Sequence, residues 1–122
     1  MKTNRQKIGI LGERKAQAYL KRRGYQILEC NYRTKGGELD IIAKQQDCIV
    51  FVEVKTRTNE EYGTPAEAVS VYKQRHMLKS ARYYLLQFDR ELECRFDVIE
   101  VVLKKQGLFW HATVNHLKNV MQ

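Results

Sequence analysis

Three carboxylates and a lysine interrupt two short apolar stretches. Glu38 and Asp40 precede Ile41-Ile42-Ala43, and Glu53 and Lys55 lie in Ile49-Val50-Phe51-Val52-Glu53-Val54-Lys55. Charged side chains are seldom buried unless they are paired or hold an ion. Gln45-Gln46-Asp47 is the only polar break between the two stretches, so a hairpin is the simplest link. With Gln46 and Asp47 as the turn, paired positions sum to 93. Asp40 then faces Glu53 and Glu38 faces Lys55. Alternation puts all four on one face, and directly opposed Cβ atoms are about 5 Å apart. Two carboxylates that close repel unless a proton or a cation lies between them. An all-oxygen ligand set favours a hard divalent cation, Mg²⁺ or Mn²⁺. A blander reading has Glu38 and Lys55 as a cross-strand ion pair, with Asp40 tolerating Glu53 at a sheet edge. The preceding Gly36-Gly37, on a strand that then carries Glu38 and Asp40 on one face, favours the ion site.

The surrounding elements follow from periodicity. Ile8, Gly12, Ala16, Tyr19 and Leu20 form a helical stripe over residues 8–23, with Lys21-Arg22-Arg23 at the negative end of the dipole and Gly24 as a stop. Glu13 borders that stripe and reads, on position alone, as an intrahelical partner for a lysine or arginine. Strands are expected at 25–33, 38–44 and 48–57, then a loop over 58–64 that could cover a site at the end of the third strand. Thr64-Pro65-Ala66-Glu67 reads as a capping box opening a second helix that runs to about residue 87, with a break near Ser70. Its stripe is Val71, Leu78, Ala81 and Leu85. Gln74 falls in the stripe, as a core amide or as a group reaching the strand site. A second hairpin spans 95–103 and 108–114, turning at Lys104–Gly107. The order α-β-β-β-α-β-β predicts an α/β sandwich with a mixed sheet. One domain covers residues 1–122.

Composition narrows the partner. The chain of 122 residues carries a net charge of +8. Ten basic residues and two acids lie in positions 1–35, and the remaining 87 residues carry twelve of each sign. The excess is therefore N-terminal, and a one-sided basic surface suits a polyanion such as DNA or RNA. Arg14, Lys15, Arg33 and Lys35 from this segment are candidates for phosphate contacts. No apolar run is long enough to span a bilayer, and no signal peptide is evident. Cys30, Cys48 and Cys94 lack a C-x-x-C spacing and read as buried, reduced thiols of a cytoplasmic protein. His76, His111 and His116 lack metal spacing, and Tyr83-Tyr84 at helical spacing reads as packing rather than base stacking. No P-loop, G-x-S-x-G or dinucleotide fingerprint is present.

The succession of helix, strand, Asp40 on a strand, Glu53-x-Lys55 on the next and a further helix resembles the PD-(D/E)XK nuclease superfamily. More closely, the chain resembles the YraN-type family of small bacterial proteins. The matching residues are Gly12-Glu13, Ala16, Leu20, Gly24-Tyr25, Asn31-Tyr32-Arg33, Gly37-Glu38-Leu39-Asp40, Phe51-Val52-Glu53-Val54-Lys55, Arg57, Tyr62-Gly63 and Lys73. The arrangement is also similar to archaeal Holliday-junction resolvases. The resemblance implies a restriction-endonuclease-like fold and metal-dependent hydrolysis of phosphodiester bonds in DNA, branched or single-stranded. It implies that Asp40, Glu53 and the Val54 carbonyl hold Mg²⁺ or Mn²⁺, that Lys55 activates water, and that Glu13 aims at the same site. Gln74 would support Lys55, although Leu78 stands where those relatives carry a tyrosine. Leu39 stands in place of the proline of the superfamily name. Arg57 and Lys73 join the phosphate-contacting set, and a homodimer is implied by the junction-resolving relatives. The alternative function is a nucleic-acid-binding module on the same fold, with little cleavage of its own, acting with a partner.

Overall fold

The first helix starts one turn before its apolar stripe. Thr3 caps it, accepting from the Gln6 amide, while the Gln6 side chain accepts from the Thr3 amide. This Thr-x-x-Gln capping box opens α1 (Asn4–Arg22). The helix ends as expected at Gly24, whose φ of 87° suits glycine. The Tyr25 amide returns to the Leu20 carbonyl and the Gly24 amide to that of Lys21, a Schellman cap in which Tyr25 and Leu20 are both buried.

Five strands follow: β1 (Gln26–Thr34), β2 (Gly37–Gln45), β3 (Cys48–Thr58), β4 (Glu93–Gln106) and β5 (Phe109–Leu117). The second helix, α2 (Val71–Leu85), lies between β3 and β4. The structure, a computed structural model, describes residues 1–58 and 70–121. The expected helix start at Thr64–Glu67 and the loop that follows Thr58 lie outside the described residues. Within them, Ser70 caps α2 by accepting from the Lys73 amide.

The sheet runs in chain order, β1-β2-β3-β4-β5. Every neighbouring pair is antiparallel except β3–β4, which α2 joins as a parallel crossover. This is the mixed α/β sandwich expected from the sequence. Each helix covers one face. Ala16 and Leu20 of α1 pack on Ile41, Ala43, Val50, Val52, Ile99 and Val101. Met77, Ala81 and Tyr84 of α2 pack on Leu39, Ile42, Ile49, Phe51, Phe96 and Val98. The expected stripe on α2 is rotated. Val71 is 64% exposed and Leu78 is also exposed, while Met77, Ser80 and Tyr84 are buried. Longer side chains reach back over the preceding turn, so Met77 and Tyr84 cover the sheet where Leu78 and Leu85 were expected to.

Two glycines fix how closely the helices approach. A Cβ on Gly12 would lie 1.9 Å from Thr56 Oγ1, and one on Gly37 would lie 2.8 Å from the His76 carbonyl oxygen. Gly12→Ala would force α1 off β3. Overpacking of this kind costs about 1–3 kcal/mol, against a gain of up to ~1 kcal/mol in helix propensity. We expect a lowered urea midpoint for Gly12→Ala and its recovery in Gly12→Ala/Thr56→Ala. A single variant as stable as wild type would show that the helix shifts freely.

The cysteines are free, as expected, but their burial is not. Cys30 and Cys94 are exposed and Cys48 is half-buried, because they sit on the outward positions of the edge strand β1 and at the strand ends. No described helix is long and apolar enough to cross a membrane.

Candidate active site

Gln46 and Asp47 form the two-residue turn between β2 and β3, with Gln46 at φ 54°. The register runs from Gln45↔Cys48 to Ile41↔Val52, the spacing read from the sequence. The β2–β3 pairs end at Ile41↔Val52. Ile41 and Ala43 face α1, whereas Leu39 faces α2 with Ile42. Strict alternation would give Leu39 and Ile41 the same face, so the faces change over at Asp40, opposite Asn31 at φ 51°, while the pairing with β1 continues from Cys30↔Ile41 to Tyr32↔Leu39. The Asp40 carboxylate accepts the Val54 amide at 2.8 Å. Asp40 and Glu53 are thus brought together by a side-chain-to-backbone bond where a plain ladder pair was expected.

They line one cavity of about 510 Å³, with Glu13 and Arg5 from α1, Glu38 from β2, Val54 and Thr56 from β3, and Lys73 from α2. Glu53 is 8% exposed. Its Oε1 lies 3.3 Å from Lys73 Nζ, and its Oε2 is buried with no hydrogen-bond partner among the described residues. Burial, then the Glu53 charge and more weakly that of Glu13, push the Asp40 carboxyl up to about 7, against the opposing pull of the Val54 amide and Lys73. Burial also raises Glu53, with Lys73 and Lys55 pulling the other way. Lys73 thus offsets charge on Glu53 and does less for Asp40.

The remaining candidates divide. Glu13 takes a long hydrogen bond, 3.4 Å, from Asn31, a residue held at φ 51°, and faces the cavity. Lys55 shares Glu53's face by alternation and lies within electrostatic reach of it. Glu38 pairs with Arg33 across β1–β2 at 3.2 Å, in place of the expected Lys55. Gln74 lines a different groove, with Val71, Leu78, Phe96 and Met121, and is not brought to the carboxylates. Arg57 pairs with Glu100 at 3.0 Å. Arg14 is exposed on α1 and Lys15 is half-buried, while Arg33 and Lys35 stand at the β1–β2 hairpin. Lys73, expected among the phosphate contacts, stands inside the carboxylate cavity.

A fit test for a cation rests on the donor set. The orphaned buried Glu53 oxygen and the raised Asp40 carboxyl, in a polar cavity, suit a hard cation. Among the described residues no three acidic, histidine or cysteine side chains converge on one point. Two carboxylates, water and main-chain or phosphate oxygens would have to complete the shell. Of Val54, the amide is the group engaged with the site.

The sequence reading missed a second polar centre. Asp97 on β4 is fully buried. It accepts Arg95 Nε at 3.0 Å, His116 Nε2 at 2.8 Å and the Asn119 amide at 2.9 Å. Arg95 reaches on to the Tyr25 hydroxyl at 2.7 Å. Burial alone would raise the Asp97 carboxyl, but the hydrogen bonds from His116, Arg95 and Asn119 hold it below the usual aspartate range. Its signal was an aspartate between Phe96 and Val98, which resembles a solvent-facing position on an alternating strand.

Residues 12–101 match the family model described as "Uncharacterised protein family UPF0102". A UPF0102 protein of Alkaliphilus oremlandii is 48% identical over 116 residues, covering 93% of this chain and 96% of the relative. One from Caldanaerobacter subterraneus subsp. tengcongensis is 44% identical over 119 residues, covering 97% of each. A third, from Caldicellulosiruptor saccharolyticus, is 48% identical over 118 residues, covering 95% of this chain and 98% of the relative. The match takes in Glu13, both carboxylate strands and Lys73, and the chain belongs to the UPF0102 family, the YraN-type group.

Proposed function

We propose that the protein is a divalent-metal-dependent nuclease that hydrolyses phosphodiester bonds in DNA. The observation that carries this reading is the buried Glu53 oxygen, unpartnered among the described residues, beside an Asp40 carboxyl driven up to about 7. Such a pair is poorly satisfied by the protein alone. Asp40 and Glu53 would hold Mg²⁺ or Mn²⁺, which when bound supplies Lewis acidity and charge neutralisation at a phosphate. The chain's own groups do the rest. Lys55, beside Glu53, orients water and carries positive charge toward the phosphate. Lys73 neutralises Glu53 and swings to a phosphate oxygen when the carboxylate gains another partner. Glu13 accepts a water proton from the α1 side. The basic first 35 residues supply backbone affinity, which falls steeply with salt.

The Lys73–Glu53 ion pair favours a second reading, in which the ammonium permanently takes the cation's place and the domain binds nucleic acid without cutting it. The test is cleavage of labelled duplex, single strand, flap and four-way junction in Mn²⁺ or Mg²⁺. Wild type is expected to cut at least one of them, with a loss of at least about 100-fold in Asp40→Ala and Lys55→Ala. Binding without cleavage, equal in wild type and Asp40→Ala, selects the second reading.

A further inference from the structure

The exposed face of α2 carries a pattern that the cavity does not use. Tyr72, His76, Lys79, Tyr83 and Leu86 recur at helical spacing along one line. Tyr72 is 73% exposed and Tyr83 62%, so of the Tyr83-Tyr84 pair only Tyr84 packs. The two exposed rings are eleven residues apart, roughly 16 Å along the helix. Cations alternate with them. Lys79 lies over Gly36 of the β1–β2 turn, with Nζ 3.1 Å from where a Cβ would stand. Lys79, Arg82 and Tyr83 line a cleft of about 490 Å³ with Arg33, Lys35 and Leu86, and among the described residues no acidic side chain lines it.

This cleft is linked to the carboxylate cavity by shared lining residues. Arg33 and Thr34 also line a shallow groove with Tyr72, His76, Glu38 and Lys73, and Glu38 and Lys73 line the cavity of Asp40 and Glu53. The rings set the kind of partner. A duplex keeps its bases stacked inside and offers aromatic side chains little area, whereas unpaired bases stack on exposed rings while their phosphates follow the cations. His76 supports one ring, with its centroid 4.2 Å from that of Tyr72, and is itself held by the Gly36 carbonyl.

We propose that Tyr72, Lys79, Arg82 and Tyr83 of α2, with Arg33 and Lys35, form a platform that binds single-stranded DNA and leads it toward Asp40 and Glu53. The direction of the path rests on the nuclease reading; the platform itself does not. Tyr83 and Tyr72 stack on bases, and the four cations hold the backbone.

The test uses the full chain carrying Asp40→Asn, in EDTA, so that binding is measured without cleavage. Anisotropy of labelled oligothymidylate and of a blunt duplex is compared with and without Tyr83→Ala. We expect about tenfold weaker binding of the single strand, less than a twofold change on the duplex, and recovery in Tyr83→Phe. Arg82→Glu should weaken both and flatten the salt dependence. Unchanged single-strand binding in Tyr83→Ala, or equal losses on both substrates, would overturn the platform. Tighter binding of oligouridylate than of oligothymidylate would overturn the choice of DNA. Cleavage by the unsubstituted protein in Mn²⁺ is scored separately. A protein that never cuts yet loses single-strand affinity with Tyr83→Ala keeps the platform and loses the nuclease reading. One that cuts but is indifferent to Tyr83 does the reverse.

Discussion

Asp40→Asn is expected to melt at a higher temperature than wild type at pH 8 in EDTA, and to lose any stabilisation by Mn²⁺. Asparagine mimics the protonated carboxyl and still accepts the Val54 amide, without placing a charge beside Glu53. The native carboxyl is raised from 3.8 to about 7, so the folded state holds its proton more tightly than the unfolded chain. The resulting stability is complete below the unfolded value and is lost as pH rises through about 7. A shift of that size has an upper bound of roughly 4 kcal/mol. Because Glu53 shares the strain, an effect on the order of 2 kcal/mol is expected at pH 8. It should vanish when both proteins are melted at about pH 3, below the unfolded value of 3.8. The cation response runs the other way. Mn²⁺ should raise the wild-type midpoint by mass action and leave Asp40→Asn unmoved. A variant less stable than wild type at pH 8 in EDTA would mean that the carboxylate is already compensated without a cation.

Asp97→Ala is expected to cost about 3–5 kcal/mol, the range for removing one member of a buried charge cluster. That is a large fraction of the ~5–15 kcal/mol available to a domain. The substitution leaves Arg95 short of its carboxylate, and His116 Nε2 and the Asn119 amide unsatisfied. The segment after β5 should loosen first, because Asn119 is held by Asp97 and Val120 by the Phe96 carbonyl. Urea unfolding gives the energy, and limited proteolysis near residue 118 reports the segment. A loss under 1 kcal/mol would mean that water satisfies the cluster. In wild type the native Asp97 carboxyl lies below its ordinary value. Its contribution is therefore present above about pH 4 and lost as pH falls through the lower native value.

How much of this was legible depends on the range of each signal. The Gln46-Asp47 turn set the register, and Ile41↔Val52 followed by counting. Gly24 announced the end of α1 because a left-handed stop favours glycine. The change of faces at Asp40 was not legible, because alternation is assumed when strands are drawn and only the destinations of Leu39 and Ile41 reveal the break. The Asp97–His116 pair is nineteen residues apart, and its meaning depends on β4 and β5 bringing the two together, which no local pattern records. The Thr3–Gln6 box was present but carried no apolar stripe behind it. Lys73 reads as a surface cation in any helix, and only the crossover of α2 places its ammonium on Glu53.

The change of faces in β2 has a mechanical consequence. The strand's side chains change faces at Asp40, so the carboxylate cavity opens between the two apolar layers and takes walls from both helices. The helices otherwise cover opposite faces of the sheet. Anything gripped by Asp40 and Glu53 therefore acts as a rivet through the sandwich. Amide hydrogen exchange should slow together in the first two turns of α1 and the first turn of α2 when the cavity fills, although the sheet lies between them.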